Sequence, residues 1–185
     1  MPNICTTNFI IEGDKEKVMD IFNVLNNAYC ESRMKLSDFG KELNLPEVHY
    51  NGICVDICMD GDILKIQVES YWKPPYSFMD VFRNEFNDLN LWYFAEELCW
   101  GGCEVFETND RNGKFFDTER IYVAYSSPYG EENVFYCDTW DDVHEFLVDF
   151  GVDVRCMDDV KRVDDEWRNE DCVAYLRVYE CKVAD

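Results

Sequence analysis
The sequence predicts an α+β fold. Residues 1–98 read as a ferredoxin-like βαββαβ unit, an antiparallel sheet with both helices on one face. Residues 99–185 read as an acidic α+β extension, β-rich with one helix, packed on that core in one compact domain. Three observations predict this. Apolar spacing switches between the strand period and the helix period twice before residue 98. Asp60-Gly61 joins two alternating runs, the strongest short hairpin signal available. Beyond Gly102 the chain breaks into short alternating runs separated by turn residues.

Ile4–Ile11 opens as a strand. Asp14 is an N-cap, and Val18, Ile21, Phe22, Leu25, Ala28 and Tyr29 then recur at helical spacing across Asp14–Cys30. A short helix is expected near Leu36–Leu43, closed by Pro46. The hairpin strands are Ile53–Met59, with Ile53, Val55, Ile57 and Met59 on one face, and Ile63–Trp72, with Leu64, Ile66, Val68, Ser70 and Trp72 on one face. After Pro74-Pro75, Ser77 and Asp80 form a capping box for a helix across Ser77–Leu89, and Leu91–Leu98 closes the unit as a strand.

In the extension, Cys103–Thr108 and Lys114–Asp117 are expected to pair across Asn112-Gly113, followed by strands Arg120–Tyr125 and Val134–Cys137. Thr139 and Asp142 open a helix with Val143, Phe146, Leu147 and Phe150 on its apolar side, ended by Gly151. An Asp-rich polar stretch then leads to a final strand, Cys172–Val183. The extension is expected to widen the first sheet.

Hydrophobic residues at 47% and aromatics at 16% supply a core and exclude a disordered chain. No apolar run approaches the ~20 residues of a membrane span. Thr6, Thr7 and Asn8 interrupt the N-terminus too early for a secretory signal, so the chain reads as cytoplasmic. The net charge is −22, from 39 acidic and 17 basic residues. Half of it lies within residues 131–185, where 17 acidic and 6 basic residues leave −11. A compact chain of this length is roughly 40 Å across. That length of duplex DNA carries on the order of 24 negative charges. The protein thus matches the charge of the DNA it could replace, and direct binding to nucleic acid through phosphates is disfavoured.

Ten cysteines without a secretory signal read as reduced thiols. Cys54 and Cys58 are four residues apart on one strand, about 13 Å, which separates them too far for one bridge or one zinc ion. Cys99 and Cys103 flank Trp-Gly-Gly and could approach across a turn, which leaves a redox role open. His49 and His144 have no second histidine at ligand spacing, and no phosphate loop or deaminase pattern is present. Asp56, Asp60 and Asp62 surround a turn without the twelve-residue calcium pattern. The expectation is no metal and no cofactor.

Two sets of residues could carry function. Glu96 and Glu97, with Trp72 and Trp100, could line an acid/base or sugar pocket, but adjacent strand residues face opposite ways. Asp141, Asp142, Glu145 and Asp149 lie opposite the apolar side of their helix, as carboxylates roughly 6 Å apart. Such a row is either a solvated face or a mimic of phosphates presented to a basic protein surface.

The opening Met1-Pro-Asn-Ile-Cys-Thr-Thr-Asn-Phe-Ile-Ile-Glu-Gly-Asp14, the Trp72-Lys-Pro-Pro75 element and the Ala95-Glu-Glu97 strand end running into Gly101-Gly102 resemble the YubB-type ferredoxin-like domain family. The resemblance spans roughly residues 1–125; the cysteine-rich segment and acidic tail depart from it. It implies the ferredoxin-like fold and a phage or plasmid setting, and no established chemistry. The resulting expectation is a noncatalytic acidic interaction protein of a mobile element, a nucleic-acid mimic blocking a basic surface of a host defence or replication protein. The alternatives are an interaction or regulatory domain whose acidity is incidental, and an enzyme with a carboxylate site.

Overall fold
Asp14 ends the first strand and starts the first helix: its carboxylate accepts the Lys17 backbone N–H at 3.1 Å. The computed structural model describes residues 3–29, 33–46, 50–99 and 102–184, with Leu98, Cys99 and residues 102–104 described by backbone alone. In chain order the elements are β1 (Ile4–Glu12), α1 (Lys15–Ala28), β2 (Met34–Lys35), α2 (Leu36–Glu42), β3 (Ile53–Asp60), β4 (Ile63–Tyr71), α3 (Tyr76–Glu85) and β5 (Asn90–Cys99). They continue as β6 (Gly102–Thr108), β7 (Ile121–Ser126), β8 (Glu132–Cys137), α4 (Trp140–Val148), α5 (Met157–Glu170), β9 (Tyr175–Glu180) and β10 (Lys182–Val183).

The protein is mixed α+β and its strands form two sheets. The larger has the order β10-β6-β5-β1-β4-β3-β2 and the smaller β8-β7-β9. Every neighbouring pair is antiparallel except β10 with β6. Val18, Ile21 and Leu25 of α1 and Phe78, Met79 and Phe82 of α3 share one core with Phe9 and Ile11 of β1, so both helices cover one face of the large sheet. On its other face Phe94 and Phe106 meet Tyr122 and Ala124 of the small sheet. The small sheet's far side packs Val123 and Leu176 under Val143, Leu147, Val160, Val163 and Trp167 of α4 and α5. Helices, sheet, sheet and helices therefore stack in four layers. All of Ile121–Tyr125 is buried because β7 has a core on each face.

The structure corrects several sequence expectations. The extension carries two helices rather than one, because the Asp-rich polar stretch is α5; Val160, Val163 and Trp167 are its buried stripe. The last strand is two strands, broken at Cys181, whose N–H bonds the Arg120 carbonyl; β9 stays in the small sheet and β10 crosses to β6. Lys114–Asp117 is a loop. Buried Asp110 draws it in by accepting the backbone N–H groups of Lys114, Phe115 and Phe116 at 3.0, 2.6 and 2.9 Å. Those bonds bring Phe115 against Trp92 and Phe116 against Phe94 instead of pairing a strand.

In β3 a bulge between Cys54 and Asp56 shifts the alternation, so that Cys54, Ile57 and Met59 pack on the core rather than the whole set Ile53, Val55, Ile57 and Met59. Helix α3 has no side-chain cap; Pro75 stands at the N-cap and its carbonyl receives Phe78 and Met79, so Ser77 lies within the helix. Trp72 falls past the end of β4, half exposed, with φ at 70°. It does not continue the face of Leu64, Ile66, Val68 and Ser70.

Candidate functional site: the acidic face of α4
Helix α4 is fixed at both ends. Thr139 accepts the Asp142 N–H at 3.2 Å, while the Asp142 carboxylate accepts the Thr139 N–H at 2.8 Å and its hydroxyl at 2.7 Å, a reciprocal capping box. The hydroxyl bond first, and the backbone bond second, hold the Asp142 carboxyl below its ordinary value. Trp140 Nε1 donates to Glu180 on β9 at 2.7 Å. Gly151, with φ at 76°, ends the helix as its N–H bonds the Val148 carbonyl and Val152 N–H bonds that of Leu147. Val143 and Leu147 are fully buried, and the Phe146 and Phe135 rings meet at 3.8 Å.

With that side buried, Asp141, Asp142, Glu145 and Asp149 are all exposed. Among the described residues none of the four forms an ion pair. Asp142 is nonetheless engaged as a cap, so the free carboxylates are Asp141, Glu145 and Asp149, spaced i, i+4, i+8. Asp141 benefits from the positive end of the helix dipole, but Asp149 stands at the negative end, and no basic residue occupies the last turn. Helix α5 is arranged the other way. Four of its six acids pair along the helix, as Asp158–Lys161 at 3.6 Å, Asp159–Arg162 at 3.6 Å, Glu166–Arg162 at 3.4 Å and Asp164–Arg168 at 3.0 Å. One acidic helix follows the stabilising charge pattern and the other runs against it.

His144 lies on the flank of α4. Arg155 approaches its Nε2 at 2.8 Å and Asp153 its Nδ1 at 3.2 Å. A guanidinium only donates, so Nε2 is the acceptor in that contact, while Nδ1 makes no hydrogen bond among the described residues. His49 lies outside the described residues.

The proposed pocket residues are not gathered in one place. Glu97 is buried beside Cys5 on the helix-covered face, whereas Glu96 faces the small sheet and accepts the Tyr136 hydroxyl at 2.9 Å. Trp72 is exposed beyond β4, and Trp100 lies outside the described residues. The side chains of Cys99 and Cys103 also lie outside them. Of the cysteines with described side chains, all are free thiols, and burial pushes the Cys54 thiol up to about 12. No group of three potential metal ligands occurs among the described residues, and no helix there is long and apolar enough to cross a membrane.

Two arrangements escaped the sequence reading. Glu107 Oε1 accepts both the Tyr76 and Tyr93 hydroxyls, at 2.6 and 3.2 Å, and burial followed by this carboxylate raises both phenols. A cleft of about 510 Å³ at one end of the large sheet brings Arg33, Lys35 and Glu69 together. Only Arg33-x-Lys35 was visible in the sequence, since Glu69 joins them through strand register. Comparison with models of protein families, with curated proteins and with solved structures returns no match.

Proposed function
We propose that this is a noncatalytic interaction protein that presents the α4 face to a basic surface of a partner, as a mimic of nucleic acid. The observation that carries the reading is the contrast between α4 and α5. Asp141, Glu145 and Asp149 repel one another along α4 with no ion-pair partner among the described residues, whereas four of the six acids of α5 have a basic partner on the same helix. A row of charge that opposes its own helix is accounted for by a partner that supplies the missing cations.

We further infer that residues 4–99 are a ferredoxin-like unit. The order β5-β1-β4-β3, antiparallel throughout, with α1 and α3 in one core, supports this. The resemblance to the YubB-type family adds a mobile-element setting and a cytoplasmic host defence or replication protein as the partner. Incidental acidity is the second reading. It is favoured by the ion pairs of Lys15 with Asp62, Lys17 with Asp88, and Arg162 with Asp159 and Glu166, which break the negative surface elsewhere. For an enzyme, Glu96 and Glu97 on opposite faces provide no shared two-carboxylate cleft.

The test is affinity capture from host lysate over a salt series, followed by competition on the captured protein. The expected partner is basic, is released as salt rises, and is displaced by duplex or guide nucleic acid. Simultaneous binding of nucleic acid and this protein, without interference, would rule out mimicry.

A further inference from the structure
We propose that the cleft at the β2 end of the large sheet binds a phosphomonoester with a flat apolar body, of the nucleoside monophosphate class. This site lies apart from α4 and stands or falls independently of that helix.

The cleft is built by strand register. Lys35 lies opposite Ile53, and Ile53 lies opposite Glu69, in one ladder across β2, β3 and β4 on the face away from α1. With strands about 4.8 Å apart, the Lys35 and Glu69 backbones are roughly 10 Å from one another, and the two side chains form no ion pair. Arg33 lines the same cleft as Lys35. Lys15, Lys17, Lys41, Lys65 and Lys114 each hold a carboxylate, yet among the described residues Arg33 and Lys35 hold none. In a chain with 39 acidic and 17 basic residues, two cations without an ion-pair partner on one cleft are open to an anion from outside.

The rest of the lining fits the remainder of such a ligand. Tyr71, opposite Ile4 on the neighbouring strand, offers a half-exposed ring for stacking. Its position is held. Asn51 donates to the Tyr71 carbonyl at 3.3 Å, Trp72 N–H bonds the Asn3 carbonyl at 3.1 Å, and the Ser70 hydroxyl donates to the Lys73 carbonyl at 2.7 Å. These bonds keep Trp72 at a left-handed φ of 70°, a conformation that a bulky residue adopts only when its surroundings enforce it and that recurs at ligand clamps. Gly52 also lines the cleft, where a Cβ would stand 2.9 Å from Leu36 and 3.0 Å from Val68.

A guanidinium and an ammonium together suit a phosphate dianion. Tyr71 and Ile53 take the base, and Glu69 accepts from a ribose hydroxyl or an exocyclic amine. The volume, about 510 Å³, is that of a small-molecule site.

The experiment is protein-observed NMR at low salt, titrating adenosine monophosphate, guanosine monophosphate, adenosine and inorganic phosphate separately. A monophosphate should shift the amides of Lys35, Ile53, Glu69 and Tyr71, with adenosine and phosphate binding about tenfold more weakly or worse. The double variant Arg33→Gln, Lys35→Gln, changed only at exposed side chains, should weaken binding roughly tenfold or more. The control Lys161→Gln, Arg162→Gln should bind as the parent does. The proposal is overturned if neither monophosphate shifts those amides, if phosphate alone binds as well as the nucleotide, or if the double variant binds undiminished.

Discussion
Arg177 of β9 donates through Nη1 to Asp164 Oδ2 of α5 at 2.7 Å, joining the outermost helix to the sheet it covers. The same carboxylate accepts the Leu176 N–H at 3.0 Å and Arg168 Nε at 3.0 Å, with only 13% of its side chain exposed. Burial alone would raise its pKa, but the bonds from Arg177, Leu176 and Arg168 outweigh burial and hold it below the ordinary value.

Asp164→Asn should therefore destabilise the protein by about 2 kcal/mol, read by denaturant unfolding. The pH dependence has a definite sign. The folded value lies below the unfolded value of about 3.8, so this contribution is complete above that pH and fades as pH falls through the lower folded value. The variant should lose that part of the acid dependence.

Asp110→Ala should cost about 2–3 kcal/mol, because it strands the backbone donors of Lys114, Phe115 and Phe116. Hydrogen exchange should accelerate at these three amides ahead of neighbouring β7. Unchanged protection would show that the loop is held by its aromatic contacts alone.

Gly52→Ala combines a φ of 141° with contacts closer than a Cβ makes. A loss of about 1–3 kcal/mol is expected in thermal or chemical unfolding.

The α4 carboxylates should separate into two groups. Thr139→Ala removes half of the capping box and should cost about 1 kcal/mol. The triple variant Asp141→Asn, Glu145→Gln, Asp149→Asn should instead leave Tm unchanged or raise it by about 1–3 °C, as repulsion is relieved. A marked fall in Tm for the triple variant would mean these acids stabilise the fold, contrary to the binding role.

Thiol labelling of the native protein should reach exposed Cys58, Cys156 and Cys172 first. Cys54, buried and raised to about 12, should label only on unfolding. Early labelling of Cys54, located by mass spectrometry, would show that β3 opens readily.

What the sequence disclosed was local. Asp14 with Val18, Ile21 and Leu25 made α1 plain, and Asp60-Gly61 marked its hairpin through a residue that turns at a φ of 63°. Helix α5 was hidden because nine of its fourteen residues are charged, which leaves Val160, Val163 and Trp167 as a narrow stripe in a polar run. The β3 bulge was hidden because one extra residue re-aims a face without changing composition. The acids of α4 were legible as a group, but the structural duty of Asp142 emerged only with its Thr139 bonds. The cleft joins residues distant along the chain, Arg33, Lys35 and Glu69, and no pattern in the chain announces that register.

The return of the chain from β9 to β10 has a kinetic consequence. The outer edge of β6 is capped only after β7, β8, α4, α5 and β9 have been traversed, and Ala184 N–H then bonds the Thr108 carbonyl at 2.6 Å. Until that closure, which bears the entropy of a long loop, β6 offers Val105 and Phe106 along an open strand edge. Refolding at high protein concentration should thus divert into intermolecular strand pairing at β6, and removing residues 181–185 should increase this aggregation before it lowers the stability of either core.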